Sequence, residues 1–399
     1  MQSIPHPCPS CGHAGMSIFY EVANVPVNSV LLVGTRAEAV GFQRGDIALG
    51  VCPACGFIAN TAFNEALTQY TAAYEATQGY SPTFNKFHRA LAQELIDRYD
   101  LYGKDLIEIG CDKGDFITML AEMGDNRGVG FDPAYVPGRH PSPAADRLTF
   151  IADFYGEKYT DHHADFICCK MTLEHIPAVA EFMTTVRRSI GDRGDTVVFF
   201  QIPNAQYVLC DVAFWDVYYE HCSYFTKGSL ARLFRRAGFE VRDLWTAYDN
   251  QYLMIEARPA GGEPAAAPLP GEESPAETQA MVASFVERYE ARRAEWRALL
   301  AQWRAAGKRV VLWGGGSKGV AFLTTLGEAA TDIAYAVDIA DMQDCDRFIA
   351  QVLAEHGGVD FLINNAGRSI RRAIESSYDR FHDYERTMQL NYFGCLRVT

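Results

Sequence analysis

No run of apolar residues in this 399-residue chain approaches the length of about twenty that a membrane-crossing helix needs. The opening residues, with Pro5, His6, Pro7 and Cys8, form no apolar signal core either. The expectation is a cytoplasmic protein. Positive charge is also scarce: 36 Lys and Arg stand against 50 Asp and Glu, for a net charge of −14. That balance argues against a nucleic-acid-binding surface and directs attention to small-molecule partners. A disulfide framework is missing too. Four of the eleven cysteines fall in Cys-x-x-Cys pairs, which fits metal binding in a reducing compartment better. What the length allows is two to four domains, each able to bury a core.

The stretch that organises the chain is 105–116. A short apolar run containing Glu108 is followed by Gly110-x-x-x-Gly114 and then by the helical pattern Phe116, Ile117, Leu120. This reads as a buried strand, a turn whose backbone approaches a ligand closely, and a helix. A second strand at 128–131 ends in Asp132, at the carboxyl edge where an acid can accept hydrogen bonds from a ribose. Absent from the turn is the Gly-x-Gly-x-x-Gly that seats a pyrophosphate. Acids occupy 108, 112 and 115 instead and would repel phosphate.

Glu108-x-Gly110-x-Asp112-x-Gly114 resembles motif I of class I S-adenosylmethionine-dependent methyltransferases, whose cofactor is a sulfonium cation without phosphate. The resemblance implies a Rossmann-like α/β core over residues 71–258, with Glu108, Gly110, Asp112, Gly114 and Asp132 at the cofactor. Residues 150–154 resemble the turn that brackets the adenine. There Asp153 would accept from the exocyclic amine and Phe154 would pack on the base, with Lys170 at the end of the strand 164–170 nearby. Leu173-Glu174-His175, just beyond, is frequent at that point in the same family.

Residues 1–70 carry two knuckles, Cys8-Pro9-Ser10-Cys11-Gly12 and Cys52-Pro53-Ala54-Cys55-Gly56. Each sets two thiolates on one tight turn whose glycine supplies the positive φ. Together Cys8, Cys11, Cys52 and Cys55 make a closed tetrahedral set for a structural zinc ion, which would hold together a small module with little core. His162, His163, Cys168 and Cys169 lack ligand spacing. The pattern over 65–99 is helical, with Tyr70, Tyr74, Phe84, Phe87, Leu91, Leu95 and Ile96 in phase. Core packing explains it, although Tyr74, Tyr80 and Ser81 are also placed to cover an active site.

After a β-branched and aromatic strand at 196–202, closed by Pro203 and Asn204, comes the segment 214–226. Its Tyr218, Glu220, His221 and Tyr224 interleave titratable groups with aromatic rings, an arrangement that keeps an imidazole neutral at pH 7 while a carboxylate can orient it. An amphipathic helix follows, stopped at Gly238. Two knuckles, motif I and then Tyr218-x-Glu220-His221-x-Ser223-Tyr224-Phe225 look like the sugar C-methyltransferases that act on nucleotide-linked keto-deoxysugars. By that resemblance His221 is the base, with Glu220 and Tyr218 beside it and His175 a further polar contact. Tyr80, Asn204 and Tyr224 would line the substrate. The chemistry is removal of a proton next to a ketone, with Tyr218 or His175 steadying the enolate oxygen.

Pro, Ala, Gly and Glu dominate 259–279, a linker composition. A helix over 277–306 carries Met281, Phe285, Tyr289, Trp296, Leu300 and Trp303 on one stripe, expected to pack on a neighbouring domain. Residues 280–340 then read as the start of a C-terminal Rossmann-like α/β domain. Gly314-x-Gly316-x-x-Gly319, with Asp338 nineteen residues on, is a dinucleotide fingerprint by spacing. In the methyltransferase resemblance, Gly316, Ser317 and Lys318 instead hold the diphosphate of a sugar nucleotide. Residues 341–399 look like a short-chain dehydrogenase/reductase fragment, most specifically at Asn364-Asn365-Ala366-Gly367. Its distance from the glycine turn is one β-α unit short, and the Tyr-x-x-x-Lys pair of that family is not found. The expectation is a chimaera, joined near 327–340. A nicotinamide-dependent reductase is the competing enzyme, and a zinc-stabilised sugar-nucleotide-binding module without methyl transfer the competing non-enzyme.

Overall fold

The structure, a computed structural model, describes residues 2–29, 31, 33, 35–68, 81–138, 142–262, 267–308, 310–313, 317–337 and 342–357. It divides into two compact units, Met1–Thr77 with Phe87–Tyr289, and Gln78–Lys86 with Glu290–Thr399.

In the first unit β1 (Gln2–Pro7), β2 (Ala14–Pro26), β3 (Arg44–Val51) and β4 (Ile58–Asn60) pair antiparallel in chain order, with the one-turn helix α1 (Arg36–Val40) between β2 and β3. Alternate residues of β2, namely Met16, Ile18 and Tyr20, are buried, the period-two signature of a sheet packed on one face. One cysteine turn joins β1 to β2 and the other joins β3 to β4.

The larger sheet follows α2 (Pro82–Tyr99). Its elements in chain order are β5 (Asp105–Ile109), α3 (Asp115–Gly124), β6 (Arg127–Phe131), β7 (Leu148–Ile151), β8 (Phe166–Lys170), α4 (Val179–Ile190), β9 (Val197–Pro203) and α5 (Ala205–Asp211). After β10 (Ser223–Tyr224) and α6 (Lys227–Arg236) come β11 (Phe239–Ala247) and β12 (Tyr252–Pro259). The strand order is β11-β12-β9-β8-β5-β6-β7, with β9 to β7 parallel and β12 antiparallel to both neighbours. Every residue of β8 is buried, as expected for a central parallel strand covered on both faces. Helix α4 supplies part of that cover, burying Val179, Met183, Val186 and Ile190 one or two turns apart. Because β6 lies on one side of β5 and β8 on the other, chain order reverses at β5, and the crevice beyond the carboxyl ends of these strands is the natural ligand position. Strand β10 leaves this sheet and pairs with β4 of the N-terminal one, Tyr224 opposite Ile58 and Ser223 opposite Ala59.

Within 259–279, the stretch 267–274 is bound to the core rather than extended away from it. Buried Glu273 accepts hydrogen bonds from Thr226 and from the Gly228 amide, and Glu272 pairs with Arg235 at 2.6 Å. Local composition hides this, since the basic partner lies more than thirty residues away. Ser274 and Glu277 then cap each other's backbone amides and start α7 (Pro275–Ala305), with a proline in its first turn where no amide is needed. From its first half, Phe285 and Tyr289 pack on Tyr20 at ring distances of 5.9 and 5.1 Å.

In the second unit β13 (Val310–Trp313) and β14 (Ile333–Val337) are parallel and joined through α8 (Ser317–Leu326), a β-α-β unit followed by α9 (Met342–His356). Trp296 meets Phe322 edge-on at 5.1 Å, and Arg304 pairs with Asp332 at 2.8 Å. Of the 65–99 helical pattern, a short turn at Glu65–Leu67 and α2 are described; Tyr70, Tyr74 and Tyr80 lie outside the described residues.

Candidate active site

Beyond the carboxyl end of β5, Gly110 has φ +71° and Gly114 φ +82°, both in the region where an L side chain is strained. A Cβ on Gly110 would stand 2.0 Å from Thr172 Oγ1, and one on Gly114 would stand 2.4 Å from Phe150 Cε1. Between them Asp112, at φ +48°, donates its amide to Asp132 Oδ2 at 2.8 Å. The Ala134 amide holds Oδ1 at 2.8 Å, so the carboxylate at the end of β6 is fixed in place, with burial pushing its pKa up. Each oxygen keeps a second lone pair for a ligand. Nearby, Tyr135 stacks on Phe150 at 4.3 Å. Asp153 takes hydrogen bonds from Lys158 and from the Tyr159 hydroxyl, which hold its carboxylate below the usual range, and Phe154 is exposed. A bare-backbone cradle, a fixed acid and surplus negative charge suit a cation carrying a ribose. The residues therefore fit S-adenosylmethionine.

Beneath the turn lies a buried group of three. Glu108 accepts the Ile117 amide at 3.0 Å and is pushed up to about 8 by burial, against the opposing pull of Lys170. Lys170 Nζ lies 4.1 Å above the Phe116 ring and donates to His88 Nε2; burial lowers its pKa. His88, from α2, is pushed down to about 2 by burial and by Lys170. Met171, which follows Lys170 in the chain, has φ +51°, a strained backbone just beyond the carboxyl end of β8.

On the acceptor side His175 and His221 meet edge-to-face at 4.9 Å. Tyr218 stands at 5.4 Å and Tyr224 at 6.2 Å from the His221 ring. Burial and then the neighbouring His175 drive the His221 pKa well below 6.5. His175 Nδ1 donates to the Glu220 carbonyl at 3.0 Å, which makes Nε2 its acceptor nitrogen. The carboxylate of Glu220 is held by the N-terminal module: it accepts from Ser29 Oγ, from the Ser29 amide and from Asn28 Nδ2. Tyr224 donates its hydroxyl to the Tyr218 carbonyl at 3.1 Å. Asn204 is buried and caps α5 through the Gln206 amide at 3.0 Å while donating to the Asn250 carbonyl at 2.9 Å.

The four thiols of the N-terminal module converge. Gly12 and Gly56 sit at φ +74° and +73°, and each knuckle returns its glycine amide to the first cysteine's carbonyl, at 2.8 and 2.9 Å. Sulfurs bound at ~2.3 Å to one tetrahedral centre stand ~3.8 Å apart. Here Cys8–Cys55 and Cys11–Cys52 are each 3.6 Å apart, and all four Sγ atoms lie within 4.8 Å of one another. The donor set fits zinc.

Of the remaining candidates, Tyr80 and Gly316 lie outside the described residues, as do Asp338 and 364–367, while Lys318 is exposed on α8, which begins at Ser317. The structure adds residues that sequence reasoning passed over. His88 and Ser29 come from segments remote in sequence. Gln201 is fully buried on β9 with neither end of its amide bonded. Glu174 is buried with both carboxylate oxygens unpartnered. Only Glu174 had a signal, its place in Leu-Glu-His.

Residues 84–244 match the methyltransferase domain family and residues 297–399 the short chain dehydrogenase family. The chain is 27% identical over 356 residues to the C-methyltransferase NovU of Streptomyces niveus, covering 85% of this chain and 83% of that protein. It is 59% identical over 64 residues to a fatty acyl-CoA reductase of Acinetobacter baylyi, covering 16% of this chain and 22% of that protein. The chain thus spans about a fifth of the length of that reductase. Among solved structures, the 1,6-didemethyltoxoflavin-N1-methyltransferase of Burkholderia thailandensis aligns with a TM-score of 0.34 at 16% identity, over 46% of this chain and 82% of that one. By its strand order and its glycine cradle the central domain has the Rossmann-like α/β fold of class I S-adenosylmethionine-dependent methyltransferases, in keeping with the match over residues 84–244.

Proposed function

We propose that the chain is a C-methyltransferase acting on a nucleotide-linked keto-deoxysugar, with His221 as the base and a structural zinc ion on Cys8, Cys11, Cys52 and Cys55. The observation that carries this reading is a neutral imidazole walled by Tyr218, His175 and Tyr224 in the segment that follows β9. When bound, S-adenosylmethionine supplies an electrophilic sulfonium methyl group, and Glu108, Asp112 and Asp132 would hold its cationic and ribose parts. His221 takes the proton from the carbon beside the ketone. The C–H electron pair moves into the enolate, whose oxygen is met by the Tyr218 hydroxyl, because the neutral His175 ring gives its one N–H to the Glu220 carbonyl. Similarity to NovU, named a C-methyltransferase, supports the reaction class.

The test is mass spectrometry of products from a panel of keto-sugar nucleotides. Methylation at carbon by the wild-type chain, lost in His221→Ala with cofactor binding retained, is the expected result. Unaltered turnover in that variant would remove His221 from the chemistry.

A second reading concerns the tail alone. Identity rises from 27% across most of the chain to 59% over 64 residues against a reductase, which supports a fusion in which the last segment has a separate ancestry. Calorimetric titration with NADPH tests whether nicotinamide binding survives there, and heat from NADPH with none from S-adenosylmethionine would reverse the ranking of the two enzymes.

A further inference from the structure

The carboxylate of Glu174 is difficult to explain as packing alone. It is 1% exposed, sits in the single turn that follows β8, and neither oxygen has a hydrogen-bond partner. Burying such a group without compensation is costly. The donors that face it are imidazoles: a Glu174 oxygen, a His175 nitrogen and a His221 nitrogen all lie within 4.8 Å of one another. The other nearby acid, Glu220, has its carboxylate engaged by Ser29 and Asn28. His175 also gives one ring N–H to a backbone carbonyl, as metal-bound histidines do.

We propose that Glu174, His175 and His221 form a second metal site, which takes a divalent first-row transition ion such as Co²⁺, Mn²⁺ or Zn²⁺. Two imidazoles and one carboxylate suit these ions better than Mg²⁺ or Ca²⁺, which prefer all-oxygen shells. Three protein donors leave a coordination position open, unlike the four thiols of the N-terminal module, which close theirs. A vicinal keto-hydroxyl pair on the acceptor would suit that open position.

One consequence rests on the reading of His221 as the base. Its acceptor nitrogen cannot bind a metal and take a substrate proton at once, so occupancy and proton abstraction compete. The existence of the site does not depend on that reading.

The experiment uses the full chain carrying its thiol-bound metal, stripped of loosely held ions by a weak chelator, then equilibrated with Co²⁺. Bound metal is counted by inductively coupled plasma mass spectrometry, and the visible spectrum separates thiolate-bound cobalt from cobalt on nitrogen and oxygen. The wild type is expected to gain one equivalent of cobalt without new thiolate charge-transfer bands, and Glu174→Gln to gain none. His175→Asn serves as a second variant should Glu174→Gln fail to fold, with circular dichroism and S-adenosylmethionine binding as the folding controls. No additional equivalent in the wild type, or an undiminished one in a folded variant, overturns the site. Methyl transfer is followed in parallel. A fall with added cobalt supports both the site and the base, whereas a rise keeps the site and takes the base role from His221.

Discussion

His175 is oriented by the backbone of Glu220, whose carbonyl accepts its Nδ1 hydrogen at 3.0 Å, while the Glu220 side chain turns the opposite way to Ser29 and Asn28. One residue thus sets an imidazole with its main chain and fastens a loop of the N-terminal module with its carboxylate. Removing the carboxylate leaves the His175 contact in place but strands three donors, the Ser29 amide and hydroxyl and the Asn28 amide. Glu220→Ala is expected to lose about 1–3 kcal/mol of stability. Glu220→Gln, whose amide oxygen still accepts from Ser29, is expected to lose less than about 1 kcal/mol. Urea unfolding of both variants provides the check. A stable Glu220→Gln protein without turnover would mean that the carboxylate itself takes part in the chemistry.

The thiol cluster reaches the same segment by another route. Cys52 and Cys55 lead through Phe57 into β4, Phe57 packs on Phe225 at 5.1 Å, and β4 pairs with the strand that begins two residues after His221. The glycine cradle stands on β5, which pairs with β6 and β8 and makes no strand pairing with the N-terminal sheet. Removing any metal held by these thiols, or Cys55→Ser, should therefore lower kcat by more than about tenfold while the Kd for S-adenosylmethionine moves by less than about threefold, since the thiols join the acceptor segment through strand pairing and the cradle only through general core packing. Calorimetry and initial rates on metal-free and reloaded protein test the separation. Equal losses in both quantities would show that the metal supports the whole unit.

Gly110 cannot carry a side chain. At φ +71°, with a Cβ 2.0 Å from the Thr172 hydroxyl, Gly110→Ala combines backbone strain of about 1–3 kcal/mol with a steric overlap that the strand cannot relieve. Cofactor affinity should fall by more than about tenfold, the equivalent of about 1.4 kcal/mol. If Thr172→Gly, which also removes the Cβ that would stand 2.7 Å away, restores binding to the Gly110→Ala protein, the overlap is the dominant cause; if it does not, the left-handed backbone is.

These properties were unequally legible in the sequence. Strand, acid and glycine spacing at 105–116 are local, and local order is what periodicity and turn chemistry report, so β5, its turn and α3 could be read directly. The knuckles were legible for the same reason. Contacts made across the fold were not. Nothing near Glu220 indicates that its carboxylate will find Ser29, more than 190 residues earlier, and nothing near Glu273 points to Thr226. The 267–274 segment has the composition of a linker because composition records propensity, whereas buried ion pairs and side-chain caps hold it to the core. His88 lies between Phe87 and Leu91 of the helical stripe and drew no reading of its own, because only the folded sheet brings it to Lys170.

That last pair governs a prediction about pH. In the folded chain His88 is pushed down to about 2 by burial and by Lys170, whereas an unfolded histidine titrates near 6.5. Between those values the unfolded state binds a proton that the folded state refuses, so the contribution of this group to stability falls as pH drops below 6.5 and is fully present above it. Each pH unit below the unfolded pKa costs about 1.4 kcal/mol. Lys170, lowered by burial, acts with the same sign below its unfolded pKa, and it is present in wild type and variant alike. In His88→Gln the amide oxygen can still accept from Lys170 but does not titrate. Relative to wild type, that variant should gain about 2 kcal/mol on going from pH 7.5 to pH 5, whatever its offset at neutral pH. Urea unfolding at the two pH values measures the difference directly. Parallel behaviour of the two proteins would place the acid-labile proton on another group.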